Sequence, residues 1–173
     1  MVDIGESLIG SYFKYVMGCK IVVYNVHYDN EQGEIDVVAF GEQGQKVYLC
    51  EVITHIRGTL YGKGYDETIK RIRNKIERAV RFAEQEFSGR TYEFQVWTPV
   101  VPSGLAKKLK EEELYFRNKG INLVIVLNEE YSYKIEQLKN EARKRTHSTD
   151  EPAFRLLQIL EHIKPVDNTE LKS

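Results

Sequence analysis

Two acids stand where apolar strands would not otherwise place them. Asp36 lies within Gly33-Glu34-Ile35-Asp36-Val37-Val38-Ala39-Phe40, and Glu51 opens Glu51-Val52-Ile53-Thr54-His55. Both segments read as short β-strands, rich in β-branched residues. Side chains alternate across a strand, so Val47, Leu49, Glu51, Ile53 and His55 share one face if the third strand runs that far. An ionised, unpaired Glu51 between Leu49 and Ile53 would cost several kcal/mol. A hard divalent cation removes that cost, because it takes carboxylate oxygens. Asp36, on the neighbouring antiparallel strand, is the natural co-ligand. Asp36 and Glu51 are therefore the candidate metal ligands, for Mg²⁺ or Mn²⁺, with a backbone carbonyl near Val52 and waters filling the other positions.

The elements that must position these acids follow from periodicity and punctuation. A helix is expected from about Asp3 to Met17, with Asp3 as N-cap, Glu6 three positions later and Gly18 as its stop. Lys20 to His27, Glu34 to Phe40 and Lys46 to Thr54 read as three successive strands of an antiparallel meander, with Tyr28 to Gln32 as a polar turn. After a loop punctuated by Gly58, Gly62 and Gly64, a long helix runs from about Asp66 to Phe87, its apolar residues spaced by 3.6. Tyr92 to Val101 is a fourth strand, and Ser103 caps a helix that reaches about Asn118. Ile121 to Leu127 is almost wholly apolar, as expected of a strand in the middle of a covered sheet. A polar helix follows from Glu129 to about Lys144. The expectation is an α/β domain over residues 1–145, with residues 146–173 forming a linker, a short amphipathic helix and a disordered tail.

Taken in order, these residues resemble the PD-(D/E)XK nucleases, the restriction-endonuclease-like superfamily. Gly33-Glu34-Ile35-Asp36 and Glu51-Val52 look most like small bacterial proteins related to Holliday-junction resolvases. The resemblance implies a restriction-endonuclease-like core: helix, three-strand antiparallel meander, then helix and strand, in a mixed central sheet flanked by helices. It implies Asp36 and Glu51 as metal ligands and Glu6 as the helix acid that many members add. It also implies a lysine two residues after the glutamate, where this chain has Ile53. That lysine orients the attacking water and offsets charge on the phosphorane-like transition state, and isoleucine does neither. Lys63 in the glycine-rich loop and Lys75 on the long helix are the candidate replacements. They stand ahead of His55, whose imidazole is largely neutral at pH 7.

Partners are constrained by charge only locally. The net charge is −1, yet Lys70, Arg71, Arg73, Lys75, Arg78 and Arg81 make the long helix basic, with Glu77 as the one acid among them. Lys70, Arg71, Arg73 and Arg78 are the candidate nucleic-acid contacts, to phosphates rather than bases; a solvated helix face is the plainer alternative. Glu6 has the competing role of closing a capping box, and tyrosines such as Tyr24, Tyr28, Tyr48, Tyr61 and Tyr65 serve cross-strand packing as readily as base stacking. Cys19 and Cys50 read as buried free thiols.

No Walker loop, Gly-X-Ser-X-Gly elbow, His-Glu-X-X-His helix or dinucleotide fingerprint is present. No apolar run is long enough for a membrane span, and the first residues lack signal-peptide character, so a cytoplasmic protein is the expectation. The last helix offers Phe154, Leu157 and Leu160 for docking or for a homodimer. The sequence thus points to a metal-dependent DNA endonuclease, a phosphodiester hydrolase. The alternative is a degenerate relative that binds nucleic acid or a protein partner without cleavage.

Overall fold

Apolar spacing decides which face each helix turns toward the sheet. In the long basic segment Thr68, Ile72, Ile76, Ala79 and Ala83 are buried, one stripe at helical spacing. The computed structural model describes residues 2–28, 32–56, 58 and 63–164. The elements run α1 (Ile4–Tyr15), β1 (Ile21–His27), β2 (Glu34–Gly41), β3 (Lys46–Val52), α2 (Tyr65–Glu86), β4 (Thr91–Thr98), α3 (Ser103–Asn118), β5 (Leu123–Leu127), α4 (Asn128–Lys144) and α5 (Pro152–His162). This is an α/β fold with one open five-stranded mixed sheet, ordered β1-β2-β3-β4-β5. β1, β2 and β3 are antiparallel neighbours, whereas β3, β4 and β5 run parallel. The parallel connections are the helical crossovers α2 and α3, as parallel pairing requires.

Two cores sandwich the sheet. On one face Ile72 and Ile76 of α2 and Leu105, Leu109 and Phe116 of α3 pack with Leu49, Ile53 and Phe94. On the other face Phe13 of α1, Leu138 and Ala142 of α4 and Phe154 of α5 pack with Val37, Cys50 and Trp97. Among the described residues no helix is long and apolar enough to cross a membrane.

Three expectations need correction. β5 lies at an edge of the sheet, not in its middle. Its apolar character comes from being covered on both faces, with Leu123 and Ile125 in one core and Val126 in the other. The edge itself is occupied by side chains of α3: Lys110 Nζ donates to the Ile125 carbonyl at 2.7 Å, and the Ile125 amide donates to Glu113 Oε1 at 2.5 Å. Ser103 is the first residue of α3 rather than its cap, which is Pro102. And β3 ends at Val52, so the shared-face argument does not extend to His55.

The described residues after 145 pack against α1 and the end of α4. Of the two roles open to Phe154, docking is the one seen: it is 1% exposed and stacks on Tyr15 with centroids 3.8 Å apart. Glu151, ahead of α5, accepts from Tyr24 Oη at 2.6 Å and from Lys14 Nζ at 3.3 Å. The Ala153 amide donates to Ser7 Oγ at 3.1 Å, and Gln158 Nε2 donates to the Arg145 and His147 carbonyls at 2.7 and 3.0 Å. Leu156, Ile159, Leu160 and Ile163 form the exposed side of this helix. The tail from 166 to 173, expected to be disordered, lies outside the described residues, as do Tyr61 and Gly62 of the glycine-rich loop. Because Phe154 is core, Phe154→Ala is expected to lower unfolding free energy by about 3–5 kcal/mol. Urea denaturation checks this, and a loss below roughly 1 kcal/mol would mean that α5 is dispensable to the core.

Candidate functional site

Where β1, β2 and β3 reach their open end, the regular pleat fails at one cross-strand position. Val22 and Tyr24 pack toward α1, but Val26 packs toward α2. On β2, Val37 and Ala39 pack toward α1, yet Ile35 packs toward α2. Residues two apart on a regular strand share a face. The switch therefore falls between Ile35 and Val37, at Asp36, and opposite it at Asn25. The register is the same on both sides, Tyr24↔Val37 and Val26↔Ile35. Asn25 has φ +54°, a left-handed conformation that Asn tolerates better than its β-branched neighbours would. An Asn inside Val22-Val23-Tyr24-Asn25-Val26 was the available signal, and sequence reasoning passed over it.

The β2–β3 ladder also stops here. Its last pair is Val37↔Cys50, so Asp36 and Glu51 come next on the two strands. Asp36 replaces the missing backbone pairing with its side chain: the Val52 amide donates to Asp36 Oδ2 at 2.6 Å. Burial raises the Asp36 carboxyl above the usual carboxylate range; the Val52 amide and Lys75 pull it down, while Glu6 and Glu34 push it up.

Glu51 projects on the α2 side of β3, the side where Leu49 and Ile53 join the core. Its Oε1 accepts from Lys75 Nζ of α2, forming an ion pair. The Glu51 side chain is 11% exposed and that of Lys75 is 40% exposed. Burial, then the neighbouring Asp36, pushes the Glu51 carboxyl from 4.5 up to about 7, against the opposing pull of Lys75 and Arg78. A recess of about 20 Å³, room for one water, is lined by Tyr28, Glu34, Ile35, Glu51 and Lys75 among others.

The other expected site residues divide. Glu6 acts electrostatically on Asp36, but its Oε2 accepts from the Asp3 amide at 2.9 Å and completes the α1 capping box. Lys63 is exposed, its amide donating to Glu67 Oε2 at 3.0 Å; the lysine that meets Glu51 is Lys75. Ile53 is 2% exposed and its amide donates to the Trp97 carbonyl at 2.8 Å, so a lysine there would put its charge into the α2-side core. Of the basic residues, Arg73 turns to α3, where Nε and Nη2 grip the buried Glu112 at 2.7 and 2.6 Å beneath Tyr115. Arg78 Nη1 donates to the Gln32 carbonyl at 2.8 Å and lies 5.9 Å from the Tyr28 ring. Lys70 and Arg71 are exposed, Arg71 pairing with Glu67 at 3.0 Å. Glu34, also missed, faces the recess; its spacing of two from Asp36 was the clue.

Two hard carboxylates fit a Mg²⁺ or Mn²⁺ that keeps several waters, which is how such ions are usually held. No group of three or more His, Cys, Asp or Glu suited to a metal occurs among the described residues. No protein-family model, curated protein or solved structure matches this chain.

The raised Glu51 carboxyl has a consequence for stability. A carboxyl whose folded pKa is raised favours the native state fully below its unfolded value of 4.5, and that contribution is lost as pH rises through about 7. Glu51→Gln removes the loss. The variant is expected to exceed the wild type by about 2–3 kcal/mol at pH 8, with the gap shrinking toward pH 5. Urea melts across that range test it; a gap independent of pH would contradict the assignment.

Proposed function

We propose that this chain is a metal-dependent DNA endonuclease of the restriction-endonuclease-like type, in which Lys75 of α2 stands in for the strand lysine replaced by Ile53. The observation that carries the reading is the convergence of Asp36, Glu51 and Lys75 where the sheet opens. The order of α1, the antiparallel β1–β3, α2 and β4 supports it, being the order that fold family uses. Asp36 and Glu51 would hold the ion. A bound Mg²⁺ or Mn²⁺ supplies Lewis-acid polarisation of the scissile phosphate and acidifies a water. Lys75 brings a positive charge to the same end of the site, where charge develops on the phosphoryl oxygens. Arg78, Arg71 and Lys70, on the same helix, hold the DNA backbone without reading its sequence. Arg73 is outside this set because Glu112 uses its charge.

A second reading keeps the fold and drops the chemistry. It is favoured by the ion pair itself, since Lys75 already neutralises the acid that would bind a metal.

The deciding assay incubates the chain with supercoiled, linear, single-stranded and branched DNA in Mg²⁺ and then Mn²⁺, beside Asp36→Ala. Cleavage that disappears in the variant is the expected result. Intact DNA under every condition would leave the binding-only reading. The division of the basic helix gives a separate expectation. Arg78→Ala should weaken DNA binding and flatten its salt dependence by about one unit of slope. Arg73→Ala should leave that slope alone and instead destabilise the fold by about 2–3 kcal/mol, because it strands a buried carboxylate. Fluorescence anisotropy across a salt series, with urea melts beside it, separates the two.

A further inference from the structure

The Lys75 ammonium pairs with the Glu51 carboxylate, and that pairing sets it against any cation that would take the same oxygens. Glu51 is nearly enclosed, and the group that neutralises it is the Lys75 ammonium. Lys75 is rooted in the middle of the 22-residue α2, next to the buried Ile76, so its attachment point is fixed. Its side chain is two-fifths exposed, and a four-carbon stem can swing without moving the helix once its partners are taken by another ion. A divalent ion on Glu51 would meet that ammonium at close range, and like charges repel.

We propose that Lys75 is a tethered stand-in for the divalent cation: it neutralises Glu51 in the metal-free protein and competes with the metal for the same carboxylate. The inference rests on reading Asp36 and Glu51 as metal ligands. On this account the ion pair weakens metal binding in the resting protein. When the ion displaces it, the ammonium remains leashed to α2 within reach of a bound phosphate. Metal arrival and the presentation of the lysine are then one event. A lysine that merely braced the site would behave oppositely, since its loss would loosen the ligands and weaken the metal.

The test is Mn²⁺ binding to the full chain by calorimetry at pH 8, comparing wild type with Lys75→Gln, Lys75→Met, Lys75→Arg and Asp36→Asn. Circular dichroism confirms the fold of each. Removing the ammonium in Lys75→Gln or Lys75→Met is expected to tighten Mn²⁺ binding roughly 5- to 50-fold, the scale of a partly buried ion pair. The same variants should lose DNA cleavage. Lys75→Arg, which keeps the charge, should bind within about twofold of wild type, and Asp36→Asn should bind poorly. Should Lys75→Met fail to fold, Lys75→Gln and Lys75→Arg still carry the comparison. Equal or weaker Mn²⁺ binding in the neutral variants, with wild type binding normally, overturns the competition while leaving the metal site standing. Failure of every protein, wild type included, to bind millimolar Mn²⁺ overturns both.

Discussion

Placing Glu51 beneath α2 is the constraint around which the open end of this molecule is arranged. A carboxylate so enclosed needs a positive partner or a proton. The structure offers Lys75 for the first and a carboxyl raised to about 7 for the second. Asp36 next to it adds repulsion that a pair of ordinary strand residues would not. The sheet meets this by giving up backbone pairing just there: the ladder ends one residue earlier, and Asp36 itself takes the Val52 amide. Asn25 absorbs the resulting change of face with a left-handed backbone. A disturbance of this kind is costly in a small sheet, and such disturbances concentrate where a protein does chemistry.

α2 is held in place from its other flank by the Arg73–Glu112 pair and by its apolar stripe. Its cations, which look equivalent in the sequence, are sorted by the acids they meet. Arg73 pairs across to α3 and Lys75 across to β3, whereas Arg71 pairs with Glu67 one turn earlier and stays exposed. Two of the cations on this helix are thus drawn toward buried acids rather than left on a solvated face.

Much of this was legible beforehand. All ten major helices and strands were readable from periodicity and turn residues, because apolar spacing and glycine or proline punctuation act locally. Asp36 and Glu51 stood out because an acid in an apolar strand is anomalous by itself. Other features depend on distant pairing that a linear pattern does not record. The edge position of β5 was hidden because burial of both faces gives an apolar run whatever lies at its sides. The Arg73–Glu112 pairing is not legible because Glu112 sits in a charged run, Lys110-Glu111-Glu112-Glu113, that reads as solvated; only the turn of α3 buries one of those acids. Whether Phe154 docks on its own chain or on a partner is not legible, because helical spacing gives a stripe but not what covers it.

The two edges of the sheet differ in a way that governs how the chain could assemble. At β5, Lys110 and Glu113 already fill the donor and acceptor positions of Ile125, so an incoming strand must first evict two charged groups. At β1 the exposed Ile21 and Val23 invite contact. Strand addition at β5 is thus opposed by charged side chains of α3. A second chain adding at β5 would strip Lys110 and Glu113 of these partners and bury their charges, which is how natural sheets keep an edge strand from growing into a fibre.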